Sequence, residues 1–203
     1  MHHGAMHLRI SIADDNAAAA KMLSRLLDLL GHTVVSEASD GRQLVEHALA
    51  LSPDLIVTDV LMPDLDGIDA ARAVNRQRPT PVVLISGKHT PELVSRAKSD
   101  CISSYVVKPY TRESLEANIG LALQRFAEFQ SLRQEAADLR QALEDRKKIE
   151  RAKGVLMKRA TLNEDDAFRR LQSMANDNQI TLAEAARRVL VLEKSLHPDE
   201  TQS

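Results

Sequence analysis

Between residues 8 and 124, short apolar runs alternate five times with amphipathic stretches. The runs are Leu8-Arg9-Ile10-Ser11-Ile12-Ala13, Thr33-Val34-Val35, Leu55-Ile56-Val57-Thr58, Pro81-Val82-Val83-Leu84-Ile85 and Ser104-Tyr105-Val106-Val107. Their length and β-branched content predict strands. Residues 17–30, 41–51, 68–77 and 91–98 carry apolar residues at helical spacing, Gly31 terminates the first of these, and Thr111 opens a further helix. Such alternation implies an α/β unit, a parallel sheet with helices on both faces. Continuous apolar strands agree, because a strand covered on both sides needs apolar residues on both.

Beyond this region the strand signal stops. A heptad pattern runs Phe129, Leu132, Ala136, Leu139, Leu143 and fails at Arg146. About two heptads are fewer than the three or four that establish a coiled coil alone. A paired helix is expected here, with a solitary exposed helix as the alternative. Three helical segments follow. The first spans 149–159. The second is capped by Asn163, with Glu164, Asp165 and Asp166 at its positive end and Phe168, Leu171 and Met174 on its apolar face. The third opens with a capping box, Thr181-Leu182-Ala183-Glu184, with Ala185, Val189 and Leu192 inside. The expected organisation is a flexible start (1–7), an α/β domain (8–124), a helical coiled-coil linker (125–145), an all-α three-helix domain (146–196) and a flexible tail (197–203).

Composition narrows the function. The chain has 203 residues, enough for two domains with their own cores. Its single cysteine, Cys101, cannot form an internal disulfide and is expected to be a small buried apolar residue in a reducing compartment. No secretory leader and no run of the roughly 18 apolar residues a membrane span requires is present, so a cytoplasmic protein without membrane partners is expected. Aromatics make up only 2%, three Phe and two Tyr, which disfavours base stacking on single-stranded nucleic acid.

Ligands of doubly wound sheets bind at the carboxyl ends of the strands. Those ends carry Asp14-Asp15, Asp59, Ser86 and Lys108-Pro109. Three clustered carboxylates repel one another and call for a hard divalent cation such as Mg²⁺. Once neutralised, one Asp can act as a nucleophile toward a phosphoryl group, with the metal and the lysine stabilising the transferring oxygens.

Ile12-Ala13-Asp14-Asp15-Asn16, Thr58-Asp59-Val60-Leu61-Met62-Pro63-Asp64-Leu65-Asp66-Gly67, Ser86-Gly87 and Tyr105-Val106-Val107-Lys108-Pro109-Tyr110 resemble the response-regulator receiver domain of two-component signalling. The resemblance implies a flavodoxin-like five-stranded fold with Asp59 as phosphoacceptor. It implies that Asp15 binds Mg²⁺ directly, Asp14 largely through water, and the Leu61 carbonyl as a further ligand. Lys108 would pair with the phosphoryl oxygens, and Ser86 and Tyr105 would form a switch pair. Cys101-Ile102 departs from the Gly-Ala usual before the switch aromatic, and Ser104 precedes Tyr105. These departures bear on the turn into the fifth strand and touch no catalytic position.

The helical end is basic. Residues 146–196 hold 12 Lys+Arg against 7 Asp+Glu, a balance of +5 in a chain whose total is -2, so the remainder carries -7. An anionic partner is expected for this part. Ala152-Lys153-Gly154 within 149–157, and Ala167-Phe168 with Leu171, resemble the ANTAR domain, a three-helix RNA-binding module of antitermination regulators. The resemblance implies binding to RNA hairpins as a dimer. Arg151, Lys153, Lys158, Arg159, Arg169 and Arg170 are the candidate phosphate contacts, Phe168 is expected in the core, and Gly154 is expected at a close helix contact or an approach of RNA.

The expected function is a phosphorylation-dependent response regulator, not an enzyme beyond its own aspartyl phosphorylation and dephosphorylation. A histidine kinase, RNA hairpins and a second copy of the chain are the expected partners. A DNA-binding regulator and a scaffold acting through protein partners are the alternatives.

Overall fold

The computed structural model describes residues 6–87 and 102–196. The helix expected over 91–98, and Cys101, lie outside them. The chain divides into two compact units, Met1–Gln130 and Ser131–Ser203.

The first unit contains strands β1 (Arg9–Ala13), β2 (Thr33–Ala38), β3 (Leu55–Asp59), β4 (Val82–Ser86) and β5 (Ser104–Val107). They form one parallel sheet in the order β2-β1-β3-β4-β5. Helices α1 (Ala17–Leu29), α2 (Gly41–Leu51) and α3 (Gly67–Gln77) alternate with the strands, and α4 (Arg112–Ala160) follows β5. Alternate residues of each apolar run serve opposite faces, as pleating requires. Ile10, Ile12, Leu55, Val57, Val83 and Ile85 pack with Leu23 and Leu27 of α1 and Leu115 and Ile119 of α4. Ala13, Ile56, Val82 and Leu84 pack with Leu44 of α2 and with Ile68, Ala71 and Val74 of α3.

Three local departures have physical causes. The second strand runs on through Ser36 and Glu37 to Ala38. It is an edge strand, half exposed, where polar residues cost little, and Ser36 finds Ser11 across the ladder at 2.8 Å. His7, expected in a loose start, is tied by its ring to the Gly31 carbonyl at 2.6 Å and to Thr33 Oγ1 at 3.1 Å. Strand β5 forms intact despite the unusual residues before it. Ile102 packs on the α2–α3 face, and the buried Ser104 donates to Asn118 Oδ1 of α4 at 2.6 Å.

Helix α4 opens with a reciprocal cap, Thr111 and Ser114 each donating a backbone N–H to the other's hydroxyl at 3.0 and 3.2 Å. It then continues for 49 residues. The linker and the segment expected as a separate helix over 149–159 are therefore stretches of one element, since nothing between them breaks a helix.

In the second unit, α5 (Glu164–Asp177) and α6 (Leu182–Leu196) pack with the end of α4. Ala152, Leu171, Ala186 and Val189 form the core, with Ile149, Val155, Leu156 and Met174 against it. Ala167 is fully buried on α5, whereas Phe168 is half-buried and stands outside this cluster, and Leu192 is 61% exposed. Asn163 caps α5 through Asp166 N–H at 2.8 Å, as expected. The box at α6 is half formed. Glu184 N–H donates to Thr181 Oγ1 at 3.2 Å, but the Glu184 carboxylate turns to Arg187 and Arg188, at 2.7 and 3.5 Å.

Candidate functional site

The strand ends converge as their order predicts. Parallel pairing sets Asp59 opposite Ile85 and Ser86 opposite Val107. Two backbone bonds extend the ladder past the strands: Val60 N–H donates to the Ile85 carbonyl at 2.9 Å, and Lys108 N–H to the Ser86 carbonyl at 2.8 Å. These hold the loop after β3 and the start of the β5–α4 connection against the end of β4, one on either side. Gly67 starts α3 so close to β3 that a Cβ there would lie 1.9 Å from the Asp59 carbonyl oxygen.

Asp14, Asp15 and Asp59 each offer a carboxylate oxygen, and these oxygens lie within 4.8 Å of one another. Asp14 is buried, Asp59 half-buried and Asp15 exposed. The Lys108 ammonium donates to Asp59 Oδ2 at 2.7 Å and to Asp14 Oδ2 at 2.9 Å. The remaining oxygens are also engaged: Asp59 Oδ1 accepts from Val60 N–H at 2.7 Å, and Asp14 Oδ1 from Asn16 N–H at 2.9 Å. Asn16 in turn caps α1 through Ala18 and Ala19 N–H, at 3.0 and 3.2 Å, so helix start and carboxylate share one turn. Burial acts to lower the Lys108 pKa, but its bonds to Asp59 and Asp14 outweigh this and raise it. A donor set made only of carboxylate oxygen at this separation suits a hard divalent cation.

The other expected residues sit on the strands and loops of the same sheet. Leu61 stands in the loop after β3 with its side chain 63% exposed. Ser86 closes β4 and is buried. Tyr105 is half-buried and packs on the α2–α3 face of the sheet. Tyr110 packs on the opposite face, and burial pushes its phenol up. Nothing in the sequence marked the supporting bonds from Asn16, Val60 and the Ser86 carbonyl, because backbone partners carry no residue signature.

The basic residues of the second unit divide into two groups. Lys153, expected as a phosphate contact, is buried, with its ammonium 2.7 Å from Glu164 and 3.0 Å from Glu150. A cation at the core edge needs a fixed anionic partner, and the acidic first turn of α5 supplies one. Arg159 pairs with Glu193 at 3.0 Å, and Arg169 more loosely with Asp166 at 3.7 Å. Arg151, Lys158 and Arg170 are exposed and make no ion pair among the described residues. A Cβ at Gly154 would meet nothing within 4 Å, so no close helix contact accounts for this glycine.

On α4, the heptad leucines Leu132, Leu139 and Leu143 are 64%, 65% and 55% exposed. Among the described residues no helix is long and apolar enough to cross a membrane.

Comparison with known proteins agrees with both units. The response regulator receiver domain family matches residues 10–120, and the ANTAR domain family matches residues 137–190. The transcriptional regulatory protein PdtaR of Mycobacterium tuberculosis is 40% identical over 182 residues, covering 90% of this chain and 89% of that protein. Among solved structures, the receiver domain of NarL from Mycobacterium tuberculosis is 33% identical with a TM-score of 0.54, over 57% of this chain and 96% of that one. The receiver domain of a modulated diguanylate cyclase from Desulfovibrio desulfuricans G20 is 26% identical with a TM-score of 0.56, over 60% and 98%. With sheet order, acidic centre and both family matches in agreement, the chain belongs to the response regulators, carrying a receiver domain followed by an ANTAR domain.

Proposed function

We propose that a histidine kinase transfers a phosphoryl group to Asp59, and that the phosphorylated protein pairs through the 129–143 stripe and binds RNA hairpins with its ANTAR domain, preventing a transcription terminator from forming. The domain limits are 8–124 for the receiver, 125–145 for the pairing segment and 146–196 for the RNA module.

The observation that carries this reading is the Lys108 ammonium bridging Asp14 and Asp59 at the ends of three strands. Asp14, Asp15 and Asp59, with the Leu61 carbonyl, would hold Mg²⁺. Bound there, it supplies the positive charge that lets an anionic carboxylate meet an anionic phosphoryl group. An Asp59 oxygen attacks phosphorus, the P–N bond to the kinase histidine breaks, and the imidazole leaves with the bonding electrons. Lys108 then follows the new charge from carboxylate to phosphoryl oxygen. Ser86 donates its hydroxyl to another phosphoryl oxygen, and Tyr105 turns inward behind it. Beyond this transfer, the receiver's own chemistry is limited to the later hydrolysis of the Asp59 acyl phosphate.

The RNA reading draws on the ANTAR match, the basic balance of 146–196 and the shortage of aromatics, which favours grip on phosphates and hairpin shape over stacking. A DNA-reading role finds little support in α6, whose first turn presents Glu184 to its own arginines. Sizing and hairpin retention with acetyl phosphate and Mg²⁺ test the proposal. Dimerisation and tighter RNA binding are expected in the wild type and absent in Asp59→Ala. Unchanged size and affinity on phosphorylation, or phosphate label persisting in Asp59→Ala, would overturn it.

A further inference from the structure

Lys147, Arg151, Gly154 and Lys158 follow one another on α4 at spacings of four, three and four residues. They therefore share one face of the helix. That face is opposite Ile149, Ala152 and Leu156, which turn into the core of the second unit. At its centre Gly154 leaves the backbone bare, with space for a Cβ and nothing within 4 Å to fill it. A glycine inside a helix is unfavourable relative to alanine, and no neighbour in this chain offsets that. Arg151 and Lys158, one residue group on either side, stand about 10 Å apart along the axis. Neither makes an ion pair among the described residues, whereas Arg159 is held by Glu193 and Arg187 and Arg188 by Glu184. Among the described residues Lys147 pairs with Glu144 alone, in a pair exposed on both sides that a phosphate can displace.

We infer that the Gly154 notch, flanked by Arg151 and Lys158, seats one sugar-phosphate strand of an RNA stem directly against the α4 backbone. This rests on the RNA reading above and adds to it the place and the manner of contact. The absent side chain lets the strand come close enough for both cations to reach phosphates at once. Charge selects the occupant, since the stripe is cationic and has no apolar residue for a protein partner to bury. A second copy of the chain fits poorly here. The heptad register passes through Arg146, Glu150 and Lys153, so its apolar seam has ended and Gly154 falls one position off it.

The test uses the full chain, phosphorylated with acetyl phosphate and Mg²⁺, and a stem-loop selected from an RNA library with randomised loops. Gly154→Leu should melt no lower than the wild type, because leucine is the better helix former, yet lose roughly tenfold in RNA affinity. Arg151→Gln and Lys158→Gln should each weaken binding whatever the loop sequence and reduce the salt slope by about 1. If the wild type retains hairpins no better than duplex DNA of the same stem, the functional reading fails and this inference with it. If the wild type binds hairpins and Gly154→Leu binds equally well, the notch alone is refuted. A change of oligomeric state in Gly154→Leu with unaltered RNA affinity would give the notch to a second copy and equally refute it.

Discussion

The Lys153 ammonium lies 2.7 Å from the Glu164 carboxylate, joining α4 to the first turn of α5. Lys153→Met should therefore lower the melting temperature of the helical unit, by only a small amount because both glutamates that lose their common cation are largely exposed. Lys153→Arg should recover part of the loss. Differential scanning calorimetry of the full chain, following the transition assigned to residues beyond 130, would read it. An unchanged transition in Lys153→Met would show that the bridge adds nothing.

The same pair predicts a pH dependence. Hydrogen bonding to Lys153 holds the Glu164 carboxyl below its ordinary value of 4.5. A depressed carboxyl contributes stability that is present above that ordinary value and lost as pH falls through the lower, folded one. The difference in melting temperature between wild type and Glu164→Gln should thus be constant near neutrality and close as pH falls below 4.5. A gap that persists in acid would assign the effect to packing rather than charge.

Replacing Lys108 leaves Asp14 and Asp59 facing each other without a cation. Lys108→Ala should lose stability in the absence of metal and gain more from added Mg²⁺ than the wild type does, as thermal shift against metal concentration would show. Because its bonds to Asp59 and Asp14 raise the Lys108 pKa against the effect of burial, its contribution should hold up to the ordinary value of 10.5 and vanish only as pH climbs through the higher folded value. Equal metal-induced shifts in both proteins would argue against a shared site.

Gly67→Ala places a methyl group 1.9 Å from the Asp59 carbonyl oxygen, a backbone atom that cannot swing aside. Destabilisation of roughly 1–3 kcal/mol is expected from such overpacking. Phosphate uptake from acetyl phosphate should slow as the loop after β3 shifts. Full stability by chemical denaturation would contradict the close approach.

Leu139→Arg changes a residue that is 65% exposed. Stability of the single chain should stay within about 0.5 kcal/mol of wild type, as for most surface changes. Phosphorylation-dependent pairing should be lost by analytical ultracentrifugation. Pairing that survives would place the dimer contact elsewhere.

The acidic centre was legible because each buried apolar strand stops abruptly at a charged or hydroxyl residue. In a parallel sheet, those stops must meet at one edge. Asp14, Asp59, Ser86 and Lys108 were therefore recoverable from position alone. The length of α4 was legible in part: the heptad extends the helix across 129–143, but between 131 and 144 every residue is exposed, so no buried face joins that stretch to the segment after Arg146. The burial of Lys153 was not legible for a related reason. A basic residue has the same letter whether it faces solvent or an acidic helix start eleven residues on, and only packing decides. Phe168 is the opposite case, since its size predicted a place in the core, whereas it is half-buried and its neighbour Ala167 is fully buried.

The two tyrosines lie on opposite faces of the sheet, Tyr105 on that of α2 and α3 and Tyr110 on that of α1 and α4. The chain has no tryptophan, so these two phenols are its only intrinsic fluorophores of consequence. Both belong to the receiver and none to the RNA module. Ultraviolet emission from the intact protein is thus a built-in reporter of the receiver alone. Single replacements by phenylalanine would split it into one optical channel for each side of the sheet.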